Sequence, residues 1–543
     1  MAPRTLAEFL EDATARFGTR EMLAFAPEGT VTERFSGLEL LSHVARAAHW
    51  LAELGVTKGT HLGLICTNRP EWVFYAFGAW HLGAVVVPLS TLWKPHEIAY
   101  ALHHADVEIL VSMSSFRSRD FRSELAVLLP EIAQGSEAEP FFHPGFPNLR
   151  RARFFPAGSH RAAGAASSVA ARASFVEAMK TKVHPSDRAV IFFTSGTTAR
   201  PKAVVHCHEA LLVSAERISR SLGIDESDSW WGHMPLFWTG GFVLGLLATW
   251  SGGGRVVLQE RVEPQSALNL LERERCTIMA GWHQAGPLLD HPDFPRRQLA
   301  LRKGSAHPLA PRLLVQPHYA VGMYGLSETA TCVACADWDE PLEIRTQTCG
   351  KPLPGTEICI RDPDTGSTLA AGMAGEICVR GVTLMEGYYK VAREETFDSE
   401  GFFHTGDLGF LDDTGRLHFV GRLKDVIKTA GVNVAAREVE ETLQQHPAVE
   451  SAHVVGVPHP ARGENIAAFV VLRSGAEVAA PDLIAFCRNR LASYKVPRHL
   501  FFLHPSALPR TATGKIEKGK LRAEAIKRVE EETHPSGAPL SET

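Results

Sequence analysis

The sequence predicts an α/β protein in two parts. A large N-terminal domain (1–421) combines parallel and mixed sheets, flanked by helices, with a β-rich subdomain. A small α+β domain (422–543) follows. Three observations carry this assignment. Apolar, β-branched runs alternate with helical stretches through the first three-quarters of the chain, the pattern of parallel sheets covered on both faces. After about residue 350, short strands alternate with turn dipeptides in EICIRDPDTG, GEICVRG and GFLDDTGRLHFVGR, which reads as an antiparallel, hairpin-rich module. Beyond Arg422 come a helix (437–445), a strand (450–457), another helix (481–491) and a basic tail.

The elements follow in order. Thr5 and Glu8 form a capping-box pair, and Leu6, Phe9, Leu10, Ala13 and Phe17 recur at helical spacing, so the chain opens on a helix. THLGLICTN (60–68) predicts a buried strand, and residues 70–82 a helix. AVVVPLS (84–90) predicts a second strand, 95–104 a helix, and VEILVS (107–112) a third strand. Residues 134–180, with the run AAGAASSVAARAS, read as a surface excursion joining two subdomains and mobile on loop timescales. No Asp, Glu, Lys or Arg occurs between Asp228 and Arg255, long enough on paper to cross a bilayer. His233, Pro235 and the Gly240–Gly241 pair interrupt it, leaving an apolar helix over 242–250 that is far short of the ~20 residues a bilayer requires. A buried helix after a tight turn is expected, and no integral membrane segment. The tail from Lys515 to Arg528 alternates with Glu and predicts a solvated helix.

A length of 543 residues corresponds to about three to four domain-sized units. With 45% hydrophobic and 22% charged residues the chain can fill a core, which excludes whole-chain disorder and fibrous classes. The net charge of -5 lacks the basic excess of a general nucleic-acid binder, so no nucleic-acid partner is expected. Nine scattered cysteines are too few for a disulfide scaffold and fit a reducing, cytoplasmic setting. The N-terminus carries Glu8, Glu11 and Asp12 and has no apolar core, unlike a secretory or transit signal.

The segment IFFTSGTTARPKAVVHCH (191–208) carries the most chemistry. An apolar strand runs into Thr194, Ser195, Gly196, Thr197 and Thr198, and Lys202 closes the loop. Hydroxyls and backbone N–H groups can replace the hydration of a polyphosphate while a lysine offsets its charge. Ser/Thr/Gly runs also make simple turns, so the segment alone leaves both readings open. There is no Walker loop, GxGxxG, HExxH or GxSxG in the chain.

This segment resembles the phosphate loop of the adenylate-forming superfamily, which includes acyl-CoA synthetases, luciferases and peptide-synthetase adenylation domains. The resemblance continues in order through PLFWTGG (235–241), GSA (304–306), MYGLSET (323–329), GKPLPGTEICIRDPDTG (350–366), GEICVRG (375–381), FFHTGDLG (402–409), GRLKDVIKTAGVNVAAREVE (421–440) and PRTATGKIEK (509–518). Among members of the superfamily the chain is most like the acyl-CoA synthetases.

The resemblance implies a role for each matched residue. Thr194 and Glu328 would hold Mg²⁺, and Ser195, Gly196, Thr197, Thr198 and Lys202 would cradle the phosphates of ATP. Gly304, Ser305, Ala306, Tyr324, Gly325 and Ser327 would form the adenine and metal segment, with Tyr324 on the adenine face. Asp407 would accept hydrogen bonds from both ribose hydroxyls, and Arg422 would contact ribose or phosphate. Lys515 would reach the carboxylate and α-phosphate during adenylation, delivered by a mobile C-terminal domain that turns about Lys424. That turn would then bring the face near Gly431 against coenzyme A. Trp238, Gly240, Gly241 and Gly325 would line the acyl pocket. Catalysis would rest on Lys515, Glu328 and Lys202.

The sequence departs from the superfamily at three positions. Ala199 and Ala203 stand where glycine is usual, and alanine would cost about 1 kcal/mol or more if either position needed φ > 0. Trp238 stands where many relatives have histidine, so a bulky indole could trim the acyl pocket, or merely pack in the core. Cys332 and Cys335 form a lone CxxC, for which a zinc site is disfavoured because four ligands are needed. His206 and His208 are expected to be structural rather than metal-ligating.

The resemblance thus implies an ATP-dependent ligase that joins an apolar carboxylic acid (fatty, alicyclic or aromatic) to CoA through an acyl-adenylate, with ATP, Mg²⁺ and coenzyme A as cofactors. The partners are a small-molecule acid and, as a candidate assembly, a second copy in a homodimer. Few residues follow Lys515, so free CoA is expected as acceptor ahead of a fused carrier domain. An enzyme loading a separate carrier protein, or an idle acyl- or nucleotide-binding homologue, is the alternative.

Overall fold

Uninterrupted apolar runs have no polar face to offer solvent, so they become the central strands of the largest sheet. In the computed structural model this sheet has seven strands in the order Gly387–Tyr388, Lys202–Cys207, Arg188–Thr194, Val85–Leu89, His61–Ile65, Ile109–Met113, Arg151–Phe155. The structure describes residues 4–134, 139–156, 169–194, 201–279, 285–305, 320–429, 432–460, 462–511 and 515–533. The strands from Arg188–Thr194 to Arg151–Phe155 run parallel. Lys202–Cys207 and Gly387–Tyr388 add an antiparallel edge.

Crossover helices Pro70–His81 and Pro95–His104 join the parallel strands. Every residue of Pro70–His81 is buried, as expected for a helix that is apolar on all sides. The N-terminal helix Leu6–Phe17 starts at Thr5 with the expected capping box to Glu8.

Two expectations need correction. Of 134–180, residues 135–138 and 157–168 lie outside the described residues, and the rest are not a plain surface excursion. Arg151–Phe155 pairs in parallel with Ile109–Met113 as the last strand of the sheet, and Val169–Lys180 is a helix. Neither was legible because Arg151 and Arg153 break the apolar run, and an edge strand needs only part of its surface buried. Nor do Gly240 and Gly241 break the uncharged segment. They begin a helix, wound as a π-helix over Gly240–Leu247 and continued as Ala248–Gly252. A Cβ on Gly241 would lie 2.1 Å from the Pro235 carbonyl oxygen, so glycine is what lets the helix start against this turn. Phe242 stacks on Trp80 at 5.2 Å and also meets Trp72, both on Pro70–His81. Burial against that aromatic cluster accounts for the missing charges. Among the described residues no helix is long and apolar enough to cross a membrane.

The chain divides into two compact units. One comprises Met1–Ile358, Val379–Phe403 and Thr414–Leu417; the other comprises Cys359–Cys378, His404–Asp413 and His418–Thr543. The first also holds a four-stranded sheet (Ser229–Gly232, Arg255–Gln259, Glu21–Ala26, Glu33–Ser36) and a short three-stranded one (Met323–Tyr324, Ala334–Cys335, Lys351–Pro352). The turn-rich strands Thr356–Arg361, Gly375–Gly381, Phe403–Leu411 and Leu417–Arg422 neighbour one another in sequence order.

In the second unit, Val432–Ala435, Val426–Thr429, Gly463–Leu472 and Val449–His459 form a sheet, with His499–Phe502 parallel to Gly463–Leu472. Helices Ala436–Gln444 and Ala480–Arg488 fall within a few residues of expectation, and Val439, Leu443, Leu483 and Cys487 bury their apolar stripes against Val454, Ile466 and Val470. The tail helix spans Lys518–Thr533.

Candidate active site

The predicted phosphate loop hangs between two antiparallel strands, with Thr194 directly opposite Lys202. Cross-strand pairing thus pins the two ends of the loop together, whatever path lies between. Ser195, Gly196, Thr197, Thr198 and Ala199, together with Ala306 and Gly431, lie outside the described residues. Ala203 sits inside the strand opposite Phe193, 1% exposed and without positive φ, so alanine causes no strain there.

Lys202 projects its ammonium 4.4 Å from the ring centroid of Tyr388. The Tyr388 hydroxyl donates to Oε1 of Glu328 at 2.9 Å. Tyr388 therefore joins two predicted site residues that lie far apart in sequence. It belongs to no motif singled out above; the only signal was an aromatic in the pair Gly387–Tyr388, which is short and ambiguous. Burial, with the Glu328 carboxylate beside it, pushes the Tyr388 phenol well above its ordinary range.

Glu328 lies in a short 3₁₀ turn, Ser327–Thr329, that ends in strain: Ala330 has φ 48° and Thr331 has φ 93°. A β-branched residue at positive φ costs on the order of 1–3 kcal/mol and persists only where its surroundings hold it. Four contacts do so here. His206 donates from Nε2 to the Ser327 carbonyl at 2.7 Å, and Ser214 donates to the Ala330 carbonyl at 2.6 Å. Met385 N–H donates to the Glu328 carbonyl at 2.8 Å, and Tyr388 takes the side chain. Gly325 has no room for a side chain, because a Cβ would stand 1.8 Å from the Thr331 carbonyl oxygen. Tyr324, 7% exposed, pairs opposite Ala334, and Gly304–Ser305 pairs in parallel with Ala320–Val321.

Glu328 offers a carboxylate whose Oε2 takes no hydrogen bond among the described residues, and Thr194 offers a hydroxyl. An all-oxygen donor set of this kind suits Mg²⁺.

In PLFWTGG, Leu236, Phe237 and Gly241 are buried, whereas Trp238 is only partly covered and lies edge-on to Phe237 at 5.4 Å. Gly240 lies near Met234: a Cβ there would meet its Cε at 2.4 Å.

In the second unit, Asp407 is 1% exposed and forms an ion pair with Arg422, whose Nε lies 2.8 Å from Oδ1. The turn that presents it is tied to strand Gly375–Gly381. Gly406 N–H donates to Glu376 Oε1 at 2.9 Å, and the Thr405 hydroxyl donates to the Ile377 carbonyl at 2.7 Å while accepting Asp407 N–H at 3.1 Å. Glu376 lies within GEICVRG, but the motif reading assigned it no role. Its carboxylate, Cys378 and His404 bring their ligand atoms within 4.8 Å of one another, yet Glu376 already holds both Gly406 and His404.

Lys515 is exposed: Thr511 N–H donates to its carbonyl at 2.8 Å, and Arg510 and Ile516 form an antiparallel bridge. Lys424 is exposed in the 3₁₀ turn Leu423–Asp425.

The minor candidates resolve into structural roles. Burial lowers the pKa of His206 and of His208 to about 4, and His208 Nδ1 accepts Leu6 N–H at 3.2 Å. All nine cysteines are free thiols. Cys332 and Cys335 are buried and donate to the Ala334 and Ala336 carbonyls.

Against known proteins, the family model "AMP-binding enzyme" matches residues 10–389, and "AMP-binding enzyme C-terminal domain" matches 438–515. The putative acyl-CoA synthetase YngI of Bacillus subtilis is 30% identical over 96% of this chain and 97% of its own length. A Rhodococcus jostii CoA ligase, named for a methyl-dioxo-octahydro-indenyl propanoyl group, is 31% identical over 96% of this chain and 99% of its own. The crystal structure of the anthranilate CoA ligase AuaEII, in complex with anthranoyl-AMP, aligns with a TM-score of 0.81 at 26% identity, covering 98% of this chain and 99% of that one.

Proposed function

The chain belongs to the AMP-binding enzyme family and is an acid–thiol ligase of the AMP-forming kind, and from that premise we propose that it activates an apolar carboxylic acid and hands it to coenzyme A. One observation supports this reading above the rest: Lys202 and Glu328, drawn from separate segments, meet on Tyr388 as a cation and a carboxylate, and Thr194, with its hydroxyl, stands opposite Lys202 across the strand pair.

In the proposed first step a carboxylate oxygen attacks the α-phosphorus of ATP, the bond to the β-phosphate oxygen breaks, and pyrophosphate leaves. Two anions must meet, so donors have to be aimed where charge accumulates. Lys202 offsets the outer phosphates, and Lys515 neutralises the carboxylate and α-phosphate as they join. Thr194 and Glu328 would hold Mg²⁺, which when bound would supply Lewis-acid charge for the phosphates. Tyr324 covers the adenine; Asp407 and Arg422 take the ribose. In the second step the CoA sulfur attacks the acyl carbonyl, its proton passes to solvent, and AMP leaves with the bonding pair. A domain boundary near 421/422, with Lys424 as the pivot, would let Lys515 withdraw between the steps.

Leu236, Phe237 and Phe242 are buried apolar neighbours of the proposed acyl pocket, which supports a fatty, alicyclic or aromatic acid. Trp238 would cap that pocket. Nine free thiols support a reducing, cytoplasmic setting.

Pyrophosphate release across a panel of carboxylic acids, with and without CoA, tests the reading. Acyl-CoA should accumulate with free CoA for at least one apolar acid. Acyl-AMP that persists with free CoA, and is consumed only by a carrier-protein thiol, would favour the carrier-loading alternative. No acyl-AMP from any acid would overturn adenylation altogether.

A further inference from the structure

Tyr388 has two charged neighbours of opposite sign, and its backbone is fixed between them. It stands opposite Val204 at the edge of the seven-stranded sheet. Glu386 N–H donates to the Val205 carbonyl and Tyr389 N–H to the Ala203 carbonyl, both at 2.8 Å, so the segment on either side is tied to the strand that carries Lys202. In this register Lys202 is the diagonal neighbour of Tyr388, within reach of a long side chain. The ammonium stands over the ring at 4.4 Å, and the phenol hydroxyl meets Glu328 at 2.9 Å.

An ammonium and a carboxylate brought to one place have a competing option, which is to pair with each other. A direct ion pair would occupy the donors of Lys202 and the oxygens of Glu328. Tyr388 gives each a different partner: the π face for the cation and one hydroxyl proton for the anion. Among the described residues, Lys202 then keeps its N–H donors, and Glu328 keeps Oε2 and a lone pair on Oε1.

We infer that Tyr388 is a positioning residue of the adenylation site, holding Glu328 aimed at a divalent cation and Lys202 aimed at the outer phosphates of ATP. This rests on the adenylation reading above. Tyr388 itself exchanges no proton and forms no bond in the reaction.

The test uses Mn²⁺ as the probe, titrated by electron paramagnetic resonance into the full-length protein with ATP and no acid. Tyr388→Phe should weaken Mn²⁺ affinity about tenfold, the effect of removing one hydrogen bond to a charged group. Glu328→Gln should weaken it further, and the double variant should be no worse than Glu328→Gln alone, because the hydroxyl acts through that carboxylate. Tyr388→Gln, which keeps a donor but lacks a ring, should retain Mn²⁺ affinity while raising the KM for ATP in pyrophosphate exchange, and it decides the matter if Tyr388→Phe fails to fold. High Mg²⁺ should restore the exchange rate of Tyr388→Phe, which a purely structural lesion would not allow. Unchanged Mn²⁺ affinity in a natively folded Tyr388→Phe, or additive losses in the double variant, overturns the inference. If the wild-type protein makes no acyl-AMP, the functional reading falls, while the Mn²⁺ titration still decides what Tyr388 does.

Discussion

Arg422 Nε stands 2.8 Å from Oδ1 of Asp407, a carboxylate that is 1% exposed, although the guanidinium itself remains 42% exposed. An almost fully covered carboxylate needs compensation for its lost hydration, and Arg422 supplies part of it. The backbone around Asp407 is held separately by Thr405 and Glu376, so the side chain can be removed without releasing the turn. Asp407→Ala should therefore weaken ATP by about 10- to 100-fold, the loss of one or two hydrogen bonds to a charged group. The KM for ATP in pyrophosphate exchange reads this directly, and a value within twofold of wild type would remove Asp407 from the ribose site.

Lys515 is exposed, its carbonyl accepts Thr511 N–H, and it lies far in sequence from the phosphate loop. Lys515→Ala should abolish acid-dependent pyrophosphate release yet spare thioester formation from preformed acyl-adenylate. Separate assays of the two half-reactions check this, and full adenylation activity in the variant would show that another group carries the charge.

Gly241→Ala places a Cβ 2.1 Å from the Pro235 carbonyl oxygen, a backbone atom that cannot swing aside. The start of the π-helix must shift, and with it Phe242 against Trp80. Overpacking of this kind costs about 1–3 kcal/mol, seen as a fall of several degrees in the thermal midpoint. An unchanged midpoint would mean that the turn relaxes freely.

His206 and His208 predict a dependence on acid. Burial lowers both from the ordinary value near 6.5 to about 4. Between those values the unfolded chain binds protons that the folded chain refuses, so stability falls as pH drops from about 6.5 towards 4 and is unaffected by these groups above that window. His208→Asn, which keeps an acceptor for Leu6 N–H, should flatten the slope of the unfolding midpoint between pH 6.5 and 4.5. Equal slopes in both proteins would assign the acid sensitivity elsewhere.

Much of this was legible in advance because it is local. Capping by Thr5 and Glu8, the strands within 60–68 and 84–90, and the helices Ala436–Gln444 and Ala480–Arg488 follow from periodicity and end signals that neighbouring residues carry themselves. Ordered motifs likewise pointed to Thr194, Lys202, Glu328, Asp407 and Arg422, because each sits in a run of distinctive neighbours. Arg151–Phe155 was missed because its arginines hide an edge strand whose only warrant is its partner, Ile109–Met113.

The chain alone determined which groups are available: an unbroken apolar interior, a hydroxyl-rich loop ending in Lys202, acids at 328 and 407, and cations at 422 and 515. Only the tertiary structure decided how they meet. Tyr388 reaches Lys202 and Glu328 because an edge strand from far downstream pairs beside Val204, and Glu376 holds the Asp407 turn across a sheet. Such contacts depend on strand register and on the burial of both partners, quantities that no local spacing encodes.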